Sequence, residues 1–199
     1  KFDIMSSSQR SRTITAIAIF ASLAIVLHLS PAKIPAPYLP FLIYELWEIP
    51  IIVAFYLYGA RVSLAVAAIN FMSLLVIFPG SLQAGPIYNL IAITAMIFGL
   101  LTVYRITKSG PKFASNVWLF GLTIILGPAV RVIVMTIVNV ALLPLSPPLG
   151  FSMAVEAVIE IIPLLAFFNA SVAIYSILIA RILIRSINGA TRIQVKYRV

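Results

Sequence analysis

The stretch SPAKIPAPYLPFLIYELWEIP, residues 30–50, decides how the rest of the chain is read. It is apolar enough for a lipid bilayer, yet it holds Pro31, Pro35, Pro37, Pro40 and Pro50 and carries Glu45 and Glu48 near its end. Proline lacks the backbone N–H and clashes with the preceding helical turn, so an unbroken helix cannot run through it. Irregular backbone at membrane depth survives only when buried against protein or lining a cavity. The stretch is therefore expected to be an extended apolar lid, with residues 34–43 lying across the mouth of a bundle. Glu45 and Glu48 then mark where the chain turns down into a second helix.

The flanking sequence supplies that bundle. The chain has 199 residues, 62% of them hydrophobic and 10% charged, with a mean hydropathy of +1.13. Soluble domains carry about 25% charged residues, so this is an integral membrane protein. A helix needs roughly 20 apolar residues to cross a bilayer, which leaves room for about six. Apolar runs bounded by proline, glycine or charge fall at 14–30, 44–60, 62–78, 86–104, 117–143 and 163–184. The expected fold is all-α, a single six-transmembrane-helix bundle over residues 1–199 with a basic tail at 185–199. The first run follows Lys1, Arg10 and Arg12 as a signal peptide would, but no small-residue cleavage site leads into a polar mature chain.

Charge sets the expected orientation. With the N-terminus inside, twelve of the fourteen basic residues lie on the inner side, leaving Lys33 outside and Arg131 within span five. That bias predicts both termini to be cytoplasmic. The acids run the other way: Glu45, Glu48, Glu156 and Glu160 lie outside and only Asp3 inside. They read either as solvated loop acids or as part of an outer site. The net charge of +9 does not signal nucleic acid, because the basic residues scatter over span ends without forming a stripe interleaved with aromatics.

Polar residues inside the spans mark a candidate pocket. Asn89, Asn139 and Asn169 all fall in the outer third of the bilayer, Asn169 roughly 9 Å below Pro163 at 1.5 Å per residue. A buried amide is costly unless hydrogen-bonded, so each is expected to face the bundle interior. Such residues often join helices, and Asn70 at mid-depth is read that way; three at one depth beneath a set of acids favour a pocket. Arg131, just after Gly127-Pro128, requires a carboxylate, carbonyls or water, and Glu160 and Glu48 are the available acids. Tyr38, Phe41, Tyr44, Trp47, Tyr88 and Phe151 cluster on the outer side, as an interfacial belt or as a stacking surface for a planar ligand, with Leu39 on the lid beside them. Phe167, Phe168 and Tyr175 flank Asn169.

Span one carries small residues, Thr15, Ala18, Ala21, Ser22 and Ala24, on a thin face that allows another helix to approach closely. Internal packing and docking of a partner are both open. No phosphate-binding glycine loop, HExxH motif or acid–histidine constellation is present, and with no cysteine a thiolate or a cysteine-ligated metal is excluded. The single histidine, His28, reads as interfacial, without ligand partners nearby for a metal. A stand-alone secondary transporter would show a coupling-ion site or an inverted repeat; an intramembrane enzyme would show paired acid–base groups. Neither is visible. The chain is expected to bind without catalysing, and to take its energy from elsewhere.

The motifs together resemble those of substrate-binding S components of energy-coupling factor (ECF) transporters, and are most similar to the riboflavin-specific group. The resemblance runs through PYLPFLIYELWEIP (37–50), YGARVSLAVAAI (58–69), AGPIYNLIA (84–92), RVIVMTIVN (131–139), LLPL (142–145) and FFNASVAIYSILIARI (167–182). It implies a six-helix bundle holding a vitamin, riboflavin as the transported ligand, near the outer face. Asn89, Asn139 and Asn169 match asparagines of that pattern. Tyr38, Leu39, Phe41, Tyr44, Glu48, Tyr88 and Glu160 complete the implied ligand-binding set, with no metal, no cofactor and no catalytic residue. Glu45 and Glu48 stand where that group has aspartates, and Val172 where it has a lysine. The resemblance further implies docking through Ala18, Ala21 and Ser22 on a membrane coupling subunit served by two cytoplasmic ATPases. The setting it implies is a prokaryotic plasma membrane.

Overall fold

The computed structural model describes residues 7–77, 84–107 and 116–190, and the side chains of these up to residue 187. The expected inner-side residues Lys1, Asp3, Lys108 and Lys112, and the basic tail past residue 190, lie outside the described residues. Six helices and one two-stranded hairpin follow in order: α1 (Ser7–Leu29), β1 (Ile34–Ala36), β2 (Leu39–Tyr44), α2 (Glu48–Tyr58), α3 (Ala60–Ile77), α4 (Ala84–Thr107), α5 (Val117–Leu142) and α6 (Val155–Ala190). Five of these, α1, α3, α4, α5 and α6, are long and apolar enough to cross a membrane.

The second run departs from the expected span over 44–60. Its helix has 11 residues, roughly 16 Å at 1.5 Å per residue, about half the hydrocarbon thickness. Tyr44 belongs to β2 instead, and Gly59 at φ +88° ends α2 one residue before α3 begins. A residue with a side chain is strained in that conformation, which is why glycine stands there. Pro50 sits in the first turn, where the missing N–H has no intrahelical acceptor. The composition explains the location of α2: EIPIIVAFY is apolar almost all round, and every residue from Glu48 to Tyr56 is buried. The long helices contact one another in the order α1–α3–α4–α5–α6, and α2 packs inside that arc against α1, α3, α4 and α6.

One close approach tightens the arc. A Cβ on Gly99 of α4 would lie 2.6 Å from the Leu126 carbonyl oxygen and 2.9 Å from the Gly127 Cα of α5. Two glycines thus bring these helix backbones into contact, as small residues do in membrane bundles. The sixth run also departs from expectation: Pro163 does not open a helix but lies inside one that starts at Val155. Glu156 and Glu160 therefore ride on the first turns of α6. Proline is tolerated inside membrane helices because neighbouring groups re-satisfy the freed carbonyl.

The proline-rich stretch is not irregular throughout. β1 and β2 pair antiparallel, with Ile34 opposite Tyr44, Pro35 opposite Ile43 and Ala36 opposite Leu39, the register shifting between Pro35 and Ala36. Leu39 and Leu42 turn toward the body of the molecule, where they pack with Tyr88, Leu143, Met153, Val158, Ile161 and Leu165. This second apolar cluster joins the hairpin to the α5–α6 connection, residues 143–154. That connection is tightly folded, since a Cβ on Gly150 would collide with the carbonyl oxygens of Leu142 and Leu145. The hairpin and the connection thus share one end of the bundle, the end where a lid is expected (the lid end).

Candidate functional site

The lid end is organised around Arg131. Its position in mid-α5, after the Gly127–Pro128 pair, directs the guanidinium into the bundle, where the side chain is 4% exposed. Nη1 donates to Glu48 Oε2 at 2.6 Å, and Nε donates to Asn169 Oδ1 at 3.0 Å. The Glu48 side chain is 3% exposed. Of the two acids the sequence offers to Arg131, the structure selects Glu48; Glu160 is exposed on α6. The first residue of α2, the middle of α5 and the middle of α6 are thereby tied at one point. A buried pair of this kind contributes little net stability over an apolar substitute, but removing one partner strands a charge at about 3–5 kcal/mol.

Asn169 is engaged at both ends of its amide. Its Oδ1 accepts from Arg131 and its Nδ2 donates to the Leu165 carbonyl at 2.9 Å. It holds the guanidinium in place, and the bond to Leu165 uses one of the two N–H donors of its amide. Asn139 is buried on α5 and Asn89 is half-buried on α4.

Above the triad, α6 is wired to the hairpin. The Tyr38 and Tyr44 hydroxyls lie 2.6 Å apart, and Tyr44 reaches the Ser171 hydroxyl at 2.8 Å. Ser171 in turn donates to the Phe168 carbonyl. Tyr175 donates to the carbonyl of Glu45, just past β2. Rings reinforce the hydroxyls: Tyr38 meets Phe167 edge-on at 5.6 Å and Tyr44 meets Phe168 at 4.9 Å between centroids. Burial, with the Tyr44 hydroxyl adding to it, pushes the Tyr38 phenol up to about 12, so this contact keeps its proton across the physiological range.

A second tie runs from the hairpin to α1. Glu45 Oε1 lies 2.8 Å from Lys33 Nζ, and its Oε2 lies 3.4 Å from His28 Nε2. His28, in the last turn of α1, is buried and faces Trp47 at 5.1 Å between centroids, the rings tilted by 32°. Among the described residues no group of three or more histidine, cysteine or acidic side chains could hold a metal ion.

The expected site residues therefore fall into groups. Glu48 and Asn169 meet through Arg131; Tyr38 and Tyr44 meet on α6; Leu39 and Tyr88 share the apolar cluster beneath the hairpin. Tyr88 also lies beside Phe151 at 6.5 Å. Phe41 points away from the bundle, 53% exposed, because it alternates with Leu42 along β2. The small face of α1 divides as well. Ala18 and Ser22 are exposed with Thr15, whereas Ala21 and Ala24 are buried in the core. Sequence reasoning missed Ser171, although a signal exists: Phe167, Ser171 and Tyr175 recur at i+4 spacing and so share one face of α6.

No protein-family model matches the sequence, and no curated protein sequence matches it. Among solved structures, the fold is similar to the S component of a bacterial ECF transporter. That match has a TM-score of 0.71 at 23% identity and covers 90% of this chain and 97% of that one. It is also similar to the S component for biotin from an ECF-type ABC transporter, with a TM-score of 0.57 at 19% identity, covering 91% and 95%.

Proposed function

We propose that this chain is the substrate-binding S component of an ECF-type ABC importer and captures a small heterocyclic vitamin beneath the β1–β2 hairpin. The observation that carries the reading is the fold, which is similar over nearly the whole length of both chains to a bacterial S component. The lid end supports it chemically. Aromatic rings of the hairpin and α6 lie beside hydroxyl and amide groups, the combination of an apolar wall and a few placed polar groups that small-ligand sites use. In this role the chain is a plasma-membrane subunit of a prokaryotic cell that binds and does not hydrolyse ATP. Two cytoplasmic ATPases would supply energy through a membrane coupling subunit, docked on the face of α1 that shows Ala18 and Ser22.

Riboflavin is the favoured ligand, on the sequence resemblance. A second reading, another vitamin, is favoured by two observations: the similarity to an S component for biotin, and the engagement of Asn169 by Arg131 and Leu165. A flavin spectrum released on denaturing the purified chain tests the ligand. A colourless protein that does not bind riboflavin at micromolar concentration excludes riboflavin and leaves the S-component reading standing. Co-purification with a coupling subunit and ATPases tests that reading. Ala18→Trp is expected to abolish the association, and unchanged association would remove α1 as the docking face.

A further inference from the structure

The α5–α6 seam holds a second buried guanidinium, and its surroundings are unlike those of the first. Arg181 of α6 is 8% exposed, and its guanidinium carbon stands 3.6 Å from the centre of the Phe120 ring of α5. Its Nε and Nη2 are buried without a hydrogen-bond partner among the described residues. Stacking on a ring engages the face of the guanidinium. The N–H donors point outward in its plane, so the ring leaves them unanswered. A buried cation with open donors calls for an acceptor, above all an anionic one.

Among the described residues no acid lies there. The described acids are Glu45, Glu48, Glu156 and Glu160, all at the lid end. Arg181 lies twelve residues along α6 from Asn169, roughly 18 Å toward the opposite end, and roughly 27 Å from Pro163. Counted from Val155, where α6 begins, Arg181 lies roughly 39 Å along the helix, more than the hydrocarbon thickness of about 30 Å, which sets it toward the far headgroup border. Arg185, one turn further on the same face, is exposed. Exposed apolar side chains lie at this end of both helices, Val117 one turn before Phe120 on α5 and Ile182 next to Arg181 on α6.

We infer that the end of the α5–α6 seam opposite the lid binds an anionic phospholipid, its phosphate held by Arg181 and Arg185 and its acyl chains lying along Val117 and Ile182. A guanidinium fork matches phosphate oxygens in its own plane, the direction that Phe120 leaves open. Charge complementarity, headgroup depth and the apolar skirt agree on a lipid over a soluble anion. The inference needs only the membrane bundle and does not depend on what the hairpin covers.

The full chain, reconstituted in nanodiscs of phosphatidylcholine or of an equal mixture with phosphatidylglycerol, provides the test. Native mass spectrometry reads the lipid retained, and the thermal midpoint reads its effect. The wild type is expected to retain phosphatidylglycerol over phosphatidylcholine and to unfold later in the mixture. Arg181→Gln and Arg185→Gln are each expected to lower retention about tenfold, the loss of one charge-assisted contact. Arg185 is exposed, so Arg185→Gln reports on the site even where Arg181→Gln fails to fold. Equal retention of the two lipids by the wild type, or unchanged retention in Arg185→Gln, overturns the inference. Equal protection by inorganic phosphate in detergent would reassign the site to a soluble anion. A wild type without lipid preference, whose Arg185→Gln variant loses a co-purifying protein, would reassign it to a protein carboxylate.

Discussion

Two arginines on one helix seam divide the molecule. Arg131, toward the lid, has a carboxylate and an amide within hydrogen-bond reach, each from a different helix. Arg181, toward the other end, has an aromatic ring and buried donors without partners. Both are more than nine-tenths buried. Burial of a charge therefore does not by itself distinguish a structural residue from one awaiting a ligand; the completeness of its partners does. At the hairpin end the buried charges of Arg131 and Glu48 meet each other. At the opposite end two donors of Arg181 have no partner among the described residues.

The largest expected effect comes from breaking the complete site. Glu48→Ala leaves Arg131 without its counter-charge, with only Asn169 still bonded to it, and should lower stability by about 3–5 kcal/mol, read as thermal unfolding in detergent. The double change Glu48→Leu with Arg131→Met should recover most of that loss, because an apolar pair of similar size needs no compensation. A loss below about 1 kcal/mol for the single change, the value of an exposed pair, would erase the contrast between the two arginines. Next in size is Gly99→Val, which must force the α4 and α5 backbones apart on the seam's other flank and should lower stability by about 1–3 kcal/mol.

Smaller effects sharpen the comparison. Phe120→Leu removes the only described group stacked on Arg181, and a loss of about 0.5–2 kcal/mol is expected, larger in phosphatidylcholine than with phosphatidylglycerol present. Equal losses in both lipids would show that the ring alone completes that site. Smallest is Tyr44→Phe, which breaks the chain from Tyr38 to Ser171 at about 1 kcal/mol. Its clearest readout is faster hydrogen exchange over residues 34–44, with α2 unchanged.

Much of this organisation was legible in the sequence. Long apolar runs gave five of the helices, because a membrane span requires length and hydropathy and little else. The break in the helical pattern at residues 30–47 was legible from its prolines, but the hairpin there was not: Pro35 and Pro40 argue against strands, and pairing is set by long-range packing of Leu39 and Leu42 on α6 and the α5–α6 connection. The length of α2 escaped for a related reason. An apolar run carries no mark of whether it crosses a membrane or ends at a glycine inside the bundle, and Gly59 can be seen to end it only from its backbone angle. Arg131 announced itself by its cost, and its two candidate acids were visible. Choosing Glu48 over Glu160 required knowing that α2 begins at Glu48 and enters the core, while Glu160 rides outside on α6. Asn169 shows the converse. The residue was found, but whether it serves a ligand or an arginine depends on a side chain thirty-eight residues away.

Calorimetric titration of the purified chain with riboflavin, biotin and other vitamins tests whether a small vitamin binds beneath the hairpin. One of them is expected to saturate a single site at micromolar concentration or below, and Tyr38→Asp to weaken that binding at least about tenfold while thermal unfolding stays near wild type. A chain that binds none of them, or one that binds a vitamin equally well with Tyr38→Asp, would contradict this reading.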